Sequence, residues 1–443
     1  MRRLGTGAIA CAVLSVWLLI EGAAQQATIP PLVQVRPIAP PAAVLPAEAD
    51  SASVTTFSFI AYGDTRGLLD GTALQPDHSV VVDGILARIS ALASTPFRVR
   101  FVLQTGDAVL NGTAGAQWNV SVSPVIERLT RDGNVPFFLA AGNHDVTNGP
   151  AGDPLRALGL HNTLAAMSKL IPPEGSPRRL NGYATYAFGF GNLFAIAIDS
   201  NIASDQAQLA WVTAQLEQLD RSRYRHVVAF FHHPLVSSGP HGGVSPDPAA
   251  TPAATPAAPV PAVDNVERQT AAMRGLYTPL FRKHRVRLTI AGHDHLYDHW
   301  VERYTEAGIG YRRDDLVTGG GGAPIYTYRG EPEVQAYLAA GADRNVRLQH
   351  LAKPGTTPAE NPHHFVVVHV AGDRLSLEVI AAGGADFAPY GGEWRVDLND
   401  PPESSLERPR WQGRAFSDAS AVEAMNAVLT GEPPDLASAA VRR

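Results

Sequence analysis

Five apolar runs in this chain each stop at a side chain that can hold a metal ion or a proton. FSFIAY (57–62) runs into Gly63-Asp64, and VRFVLQ (99–104) into Thr105-Gly106-Asp107. VPFFLA (135–140) leads to Gly142-Asn143-His144-Asp145, HVVAFF (226–231) to His232-His233, and VRLTIA (286–291) to Gly292-His293-Asp294-His295. Short runs rich in Val, Ile and Phe read as buried strands. Any one of these endings is explained by a turn, since Gly, Asn and Asp serve turns for backbone reasons. Five in one chain are not. The carboxyl ends of strands in α/β sheets are where ligands gather, and glycine lets the chain turn so that the next side chain faces the crevice.

The segments between these runs alternate with them. Residues 79–93 carry Val80, Val81, Ile85, Leu86, Ile89 and Leu92 at helical spacing, and further helices are predicted within 118–131 after Pro124, over 205–221 and over 266–284. Residues 183–190 and 193–199 read as paired strands, and 364–370 with 375–380 as a hairpin about Ala371-Gly372-Asp373. Strand–helix alternation early and strand pairs late predict one α/β domain with mixed sheets over 54–385. No internal repeat is visible. The C-terminal extension, 386–443, has little periodicity until a short helical stretch near 416–430.

Composition closes off other classes. Of 443 residues, 45% are hydrophobic, enough for a packed core, and the net charge of −6 lacks the basic field of a nucleic-acid binder. Arg2 and Arg3 precede GAIACAVLSVWLLI and then EGAAQQ. This is the pattern of a secretory signal over 1–24, so the protein is expected to be exported, periplasmic or secreted. The apolar run falls short of the roughly 20 residues a membrane span needs, so no anchor is expected in the mature chain. The single cysteine, Cys11, lies inside that segment. Residues 25–53 are rich in Pro and Ala and read as an extended, solvated linker. A second such tract, 245–263, reads as a long surface loop within the domain.

The candidate ligands are two carboxylates (Asp64, Asp107), one amide (Asn143) and three imidazoles (His232, His293, His295). This set contains no sulfur and suits Zn, Mn, Fe or Mg. His293 and His295 alternate along an extended segment and can face two different metals. In this order the blocks GD, GD, GNHD, a lone His after a strand, and GHDH resemble the calcineurin-like metallophosphoesterases, including the purple acid phosphatase branch; GGGGAP at 319–324 fits the same pattern. The resemblance implies a four-layer sandwich of two mixed sheets flanked by helices. It implies two divalent or mixed-valence metal ions, iron, manganese or zinc, with Asp107 between them. Asp64 and His295 would serve the first metal, and Asn143, His232 and His293 the second. His144 would be the general acid, with Asp145 as its orienting partner. The activity implied is hydrolysis of small or polymeric phosphate esters by in-line attack of a metal-bridging hydroxide. Elementary physics agrees: two cations about 4 Å apart need an anion between them, a water there loses its proton near neutral pH, and a poor leaving oxygen needs a proton from a neighbouring imidazole.

Two departures from the family pattern stand out. Where many members read D-x-H, this chain reads Asp64-Thr65-Arg66, and where purple acid phosphatases place a tyrosine it has Leu110, followed by Asn111. The first metal therefore has fewer identifiable protein ligands than the second. Arg66 cannot ligate, but its fork of donors fits phosphate oxygens, so it is read as a substrate clamp, with a structural arginine as the alternative. His233 is expected in a turn or supporting a ligand, His299 and His226 in packing, and His241 in a glycine-rich loop just after His232, with contact to substrate the less favoured reading. Glycines 319–322 read as a tight loop beside the metals, since no Lys-Ser/Thr follows as a phosphate cradle requires. A catalytically silent phosphate- or metal-binding protein is the competing reading. It leaves His144 and Asp145 without a duty.

Overall fold

A computed structural model of the chain describes residues 33–147, 152–243, 266–384 and 394–399. The strands, in chain order, begin with β1 (Thr56–Tyr62), β2 (Val99–Gln104), β3 (Phe137–Leu139), β4 (Tyr186–Phe190), β5 (Leu193–Ala197) and β6 (His226–Phe230). They continue with β7 (Leu288–Ala291), β8 (Tyr297–Glu306), β9 (Ile309–Thr318), β10 (Arg347–Ala352), β11 (His364–Ala371), β12 (Arg374–Ala381) and β13 (Trp394–Asp397). They form a six-stranded sheet, β13-β12-β11-β1-β2-β3, and a seven-stranded sheet, β10-β8-β9-β7-β6-β5-β4. Strands β1, β2 and β3 run parallel, as do β5, β6, β7 and β9, while β4, β8 and β10 to β13 join by antiparallel pairing. Both sheets are mixed, as the alternation predicts.

Strand β6 shows why the sequence packs this way. Val228 and Phe230 enter one buried cluster with residues of the six-stranded sheet, while Val227, Ala229 and Phe231 enter another with Val212, Leu216, Tyr277 and Phe281. A strand buried on both faces must be apolar throughout, with no alternation. In the first cluster, Phe138 of β3 stacks on Phe188 of β4 at 4.0 Å between ring centres, tying the two sheets together. The helix Pro76–Leu92 buries Val81, Val82, Ile85 and Leu92, while Val80 is 41% exposed, so its apolar stripe runs through Val82 and not Val80. The region predicted helical at 266–284 begins at Arg268–Ala272 and ends at Thr278–Lys283, with a wider turn between.

Three features depart from the sequence reading. Strands β8 and β9 lack a continuous apolar run, because several of their buried positions hold paired charges. Arg282 forks onto Glu302 at 2.9 and 2.8 Å, Arg313 onto Asp315 at 2.7 and 3.0 Å, and Arg312 onto Asp314 at 2.9 and 2.7 Å. The β8–β9 turn uses Ala307 and Gly308, both at positive φ. Residues 33–53 are not a solvated linker: Ile38 is fully buried and donates its N–H to the Ala166 carbonyl, and Glu48 accepts both forks of Arg178 at 2.8 Å. Proline does not forbid burial here, and a single 3-10 turn forms at Ala49–Ser51. Third, β13 pairs with β12, so the sheet draws on residues beyond 385. The signal segment 1–24, the tract 245–263 and the helical stretch 416–430 lie outside the described residues. Among the described residues no helix is long and apolar enough to cross a membrane.

Candidate metal centre

The six predicted ligands converge, three from each sheet. Asp64, Asp107 and Asn143 follow β1, β2 and β3; His232 follows β6, and His293 and His295 follow β7. Strands β1, β2 and β7 end where the apolar runs end, while β3 and β6 stop one residue short, at Leu139 and Phe230. Asp64, Asp107 and His293 adopt left-handed backbones, with φ of 59°, 53° and 72°. Such conformations are unfavourable for residues with a Cβ and are held by surrounding structure. The glycines beside them serve a different purpose from a sharp turn. A Cβ on Gly142 would lie 2.3 Å from Asp107 Oδ1, and one on Gly292 2.2 Å from Asp64 Oδ2. Glycine is required there because backbone and carboxylate come too close for a side chain.

Each of the three imidazoles has one nitrogen anchored outside the cleft. His232 Nδ1 donates to the Thr105 carbonyl (3.0 Å), His295 Nδ1 to the Pro324 carbonyl (2.7 Å), and His293 Nε2 to Glu267 Oε2 (2.8 Å). The opposite nitrogen is then a bare lone pair, and all three face inward. His232 Nε2 lies 2.7 Å from Asn143 Oδ1, 3.0 Å from His293 Nδ1 and 3.4 Å from Asp107 Oδ1. Acceptors so close to one another repel unless a cation lies among them. On the other side, Asp64, Asp107 and His295 bring ligand atoms within 4.8 Å of one another, with His295 Nε2 3.6 Å from Asp64 Oδ1. The donor set thus fits two cations sharing Asp107.

Electrostatics point the same way. Burial and the charge of Asp107 push Asp64 well above the usual carboxylate range, a penalty that a cation relieves. Burial also raises Asp107, but His232, His144 and Arg66 overcome it and hold that carboxyl below its ordinary value. Burial pulls His232 and His295 down to about 3, toward the neutral form that ligation requires. Arg66 occupies the place of the missing D-x-H imidazole. Its Nε donates to Asp107 Oδ2 at 3.2 Å, and its Nη2 lies 3.4 Å from His295 Nε2.

His144 lies at the edge of this cleft, 31% exposed, with Nε2 3.9 Å from Asp107 Oδ2. Its orienting partner is not Asp145. The His144 Nδ1–H donates to the Leu110 carbonyl at 2.7 Å. Asp145 is fully buried and accepts from the backbone N–H groups of Ala108, Val109 and Gly142 at 2.9, 3.2 and 2.9 Å. It ties the loop after β2 to the loop after β3. Asp294, between the two histidines of GHDH, likewise points away, accepting from Ser237 Oγ and the His241 N–H.

Several participants have no signal in the sequence. Glu267 follows the Pro/Ala tract and reaches both His293 and His241, the latter at 2.5 Å. Tyr326 stacks on His295 at 4.1 Å. Three anchors are backbone carbonyls, which no side-chain pattern reveals. His241 lies 4.1 Å from His293, ring to ring. His233 is buried with Nδ1 2.9 Å from Ser200 Oγ, and its ligand atoms group with those of Glu267 and His293 within 4.8 Å. His299 and His226 are packing residues, bound to Asp314 and to the Gly372 carbonyl. The glycine loop at 319–322 lies against the end of β1, where the Gly321 N–H donates to the Gly63 carbonyl.

Residues 78–297 match the family model of calcineurin-like phosphoesterases. Among solved structures, a purple acid phosphatase from yellow lupin (Lupinus luteus) seeds superposes with a TM-score of 0.50 at 15% identity, over 78% of this chain and 54% of that one. The chain thus spans about half the length of the lupin enzyme, with which it shares a fold of two mixed sheets flanked by helices. A protein titled the anchor in the inner membrane complex of Plasmodium matches with a TM-score of 0.41 at 13% identity, over 79% and 90% of the two chains. A dimetal phosphatase from Danio rerio matches with 0.40 at 14%, over 77% and 99%. No curated protein sequence matches significantly.

Proposed function

The chain belongs to the calcineurin-like phosphoesterases through residues 78–297, and on that premise we propose that it hydrolyses phosphate esters at a centre built for two cations. The observation that carries this reading is the set of inward lone pairs on His232, His293 and His295, facing two carboxylates and an amide oxygen. Asp64, Asp107 and His295 would hold one cation; Asp107, Asn143, His232 and His293 would hold the other. Bound there, the pair supplies Lewis acidity at the phosphoryl oxygens and acidifies a water. Protonated His144 gives its Nε2 proton to the departing oxygen while the Leu110 carbonyl keeps the ring in place. Arg66, whose Nε donates to Asp107, has a fork of donors that fits the phosphoryl oxygens. Asp145 keeps Asp107 and His144 in register through the loops it joins. Glu267 fixes the tautomer and tilt of His293.

The substrate class proposed is a phosphate ester, small or polymeric. The N-terminal signal pattern supports export, which N-terminal sequencing of extracytoplasmic protein tests. For the activity, turnover of 4-nitrophenyl phosphate and bis(4-nitrophenyl) phosphate is measured with added Mn, Zn or Fe, for wild type and Asp107→Asn. Turnover by the wild type, lost with metal content in the variant, is expected. Metal binding by the wild type without turnover of either ester would favour the silent reading, and a variant that keeps two metals and a near-normal rate would remove Asp107 from the centre.

A further inference from the structure

The end of the seven-stranded sheet opposite the metal ligands carries a second concentration of charge. The metal ligands follow the carboxyl ends of β6 and β7. Arginines crowd the beginnings: Arg221 and Arg225 precede β6, Arg285 and Arg287 precede β7, and Arg312 lies near the start of β9. With the rings of Tyr304 and Tyr311 they line a cleft of about 240 Å³.

Of these five guanidinium groups, Arg221 and Arg285 meet no described carboxylate. Arg287 and Arg312 share Asp314, at 2.8 and 2.7 Å. Arg225 meets Asp373 at 3.8 Å with both side chains more than half exposed, a pair worth little in water. Arg285 lies over the Tyr311 ring at 5.8 Å and forms no ion pair with a described carboxylate. Arg221 gives Nη2 to the Arg225 carbonyl, and its Nη1 is buried with no described partner. Burial, and then the charge of Arg285, pull Arg221 down to about 10. Unpaired like charges and a buried unused donor both destabilise a fold. A bound anion relieves both.

We propose that this cleft is a second oxyanion site, taking a free tetrahedral dianion of the phosphate class. The rationale is geometric. Guanidinium forks bind two oxygens of such an anion side by side, which a single ammonium cannot. The unused Nη1 of Arg221 and the unpaired guanidinium of Arg285 supply the donors, and Arg225 supplies charge from the rim. The site stands apart from hydrolysis, since it lies at the other ends of the same strands.

Equilibrium dialysis of labelled inorganic phosphate against the full chain at low ionic strength tests this, with inorganic sulfate as competitor. The Asp107→Asn background disables the metal centre, and Arg221→Gln/Arg285→Gln is added to it. The background variant should bind one phosphate that sulfate displaces, and the added pair should weaken it at least about tenfold. No binding in the background variant, or unchanged affinity with the added pair, would overturn the proposal. Should the glutamine pair fail to fold by circular dichroism, Arg221→Lys/Arg285→Lys keeps the charge and removes the forks. It should weaken binding to a similar degree, and undiminished affinity there would equally overturn the site.

Discussion

His144 is held by Leu110: its Nδ1 lies 2.7 Å from the Leu110 carbonyl oxygen, which leaves Nε2 directed at the cleft. A backbone anchor cannot be removed by a side-chain change, so the function of His144 has to be tested at His144. In His144→Ala, esters with alkoxide leaving groups should lose roughly 10²–10⁴-fold in kcat/KM, and 4-nitrophenyl esters much less. The check is log kcat/KM against leaving-group pKa at saturating metal. A steeper slope in the variant is the expected result; parallel lines would make His144 a binding or architectural residue.

Asp145 behaves differently because it serves the backbone. Asp145→Ala strands three buried N–H groups, those of Ala108, Val109 and Gly142. Each orphaned donor costs about 1–3 kcal/mol, so a stability loss of about 3 kcal/mol or more by denaturant unfolding is expected. Its residual activity should show the wild-type leaving-group slope. A variant of normal stability would mean these bonds contribute nothing.

Arg66 stands where a further imidazole would complete the first metal position. Arg66→His should therefore raise first-site affinity, seen as tighter binding of the weaker metal equivalent in titrations followed by elemental analysis. The same change should raise KM, since the fork on the phosphoryl group is gone. Weaker metal binding in the variant would show that position 66 does not reach the cation.

Glu267 is predicted to act through His293. Removing the carboxylate in Glu267→Ala frees the ring to turn, and the second cation should be held about 10–100-fold more weakly. Competition with a metal-sensing dye measures this directly. Glu267→Gln, which still accepts from Nε2–H, should recover part of the affinity; an alanine variant with unchanged affinity would detach Glu267 from the centre.

His350, outside the set of candidate ligands, gives a pH signature. It stacks on Trp300 and lies between Asp298 (2.6 Å) and Glu331 (3.1 Å). Burial pulls the imidazole down, but Asp298 and Glu331 more than offset this and push it up to about 9. A group whose folded pKa is raised stabilises fully below its unfolded pKa, near 6.5, and loses that contribution as pH rises through 9. The contribution is about 3 kcal/mol. Unfolding free energies of wild type and His350→Gln should differ most at pH 6 and converge above pH 9. A constant difference across that range would mean the imidazole is not charged in the fold.

What could be read in advance follows from what the chemistry demands. The convergence of Asp64, Asp107, Asn143, His232, His293 and His295 was legible because such strand ends combine a metal-capable residue type with a boundary, and both are local in sequence. The β8–β9 hairpin was not, because Arg312, Arg313, Asp314 and Asp315 look like surface and are buried by pairing with partners such as His299 and Glu302. Adjacency misled at Asp145: the residue next to His144 in the chain turns away from it, and the true partner is the Leu110 carbonyl. Glu267 is separated from His293 by two helices and strand β7, and no periodicity links them. The strap at 33–53 fails as a linker because Ile38 and Glu48 find partners only in the assembled domain.

The even division of ligands between the sheets makes the centre a gauge of their spacing. Asp64, Asp107 and Asn143 ride on one sheet; His232, His293 and His295 ride on the other. Neither trio closes around a cation by itself, so affinity depends on how the aromatic layer sets the gap. The Phe138–Phe188 stack lies in that layer and touches no ligand. Trimming such rings should change metal affinity without touching any of the six residues, and an ion held among them would bridge the two sheets.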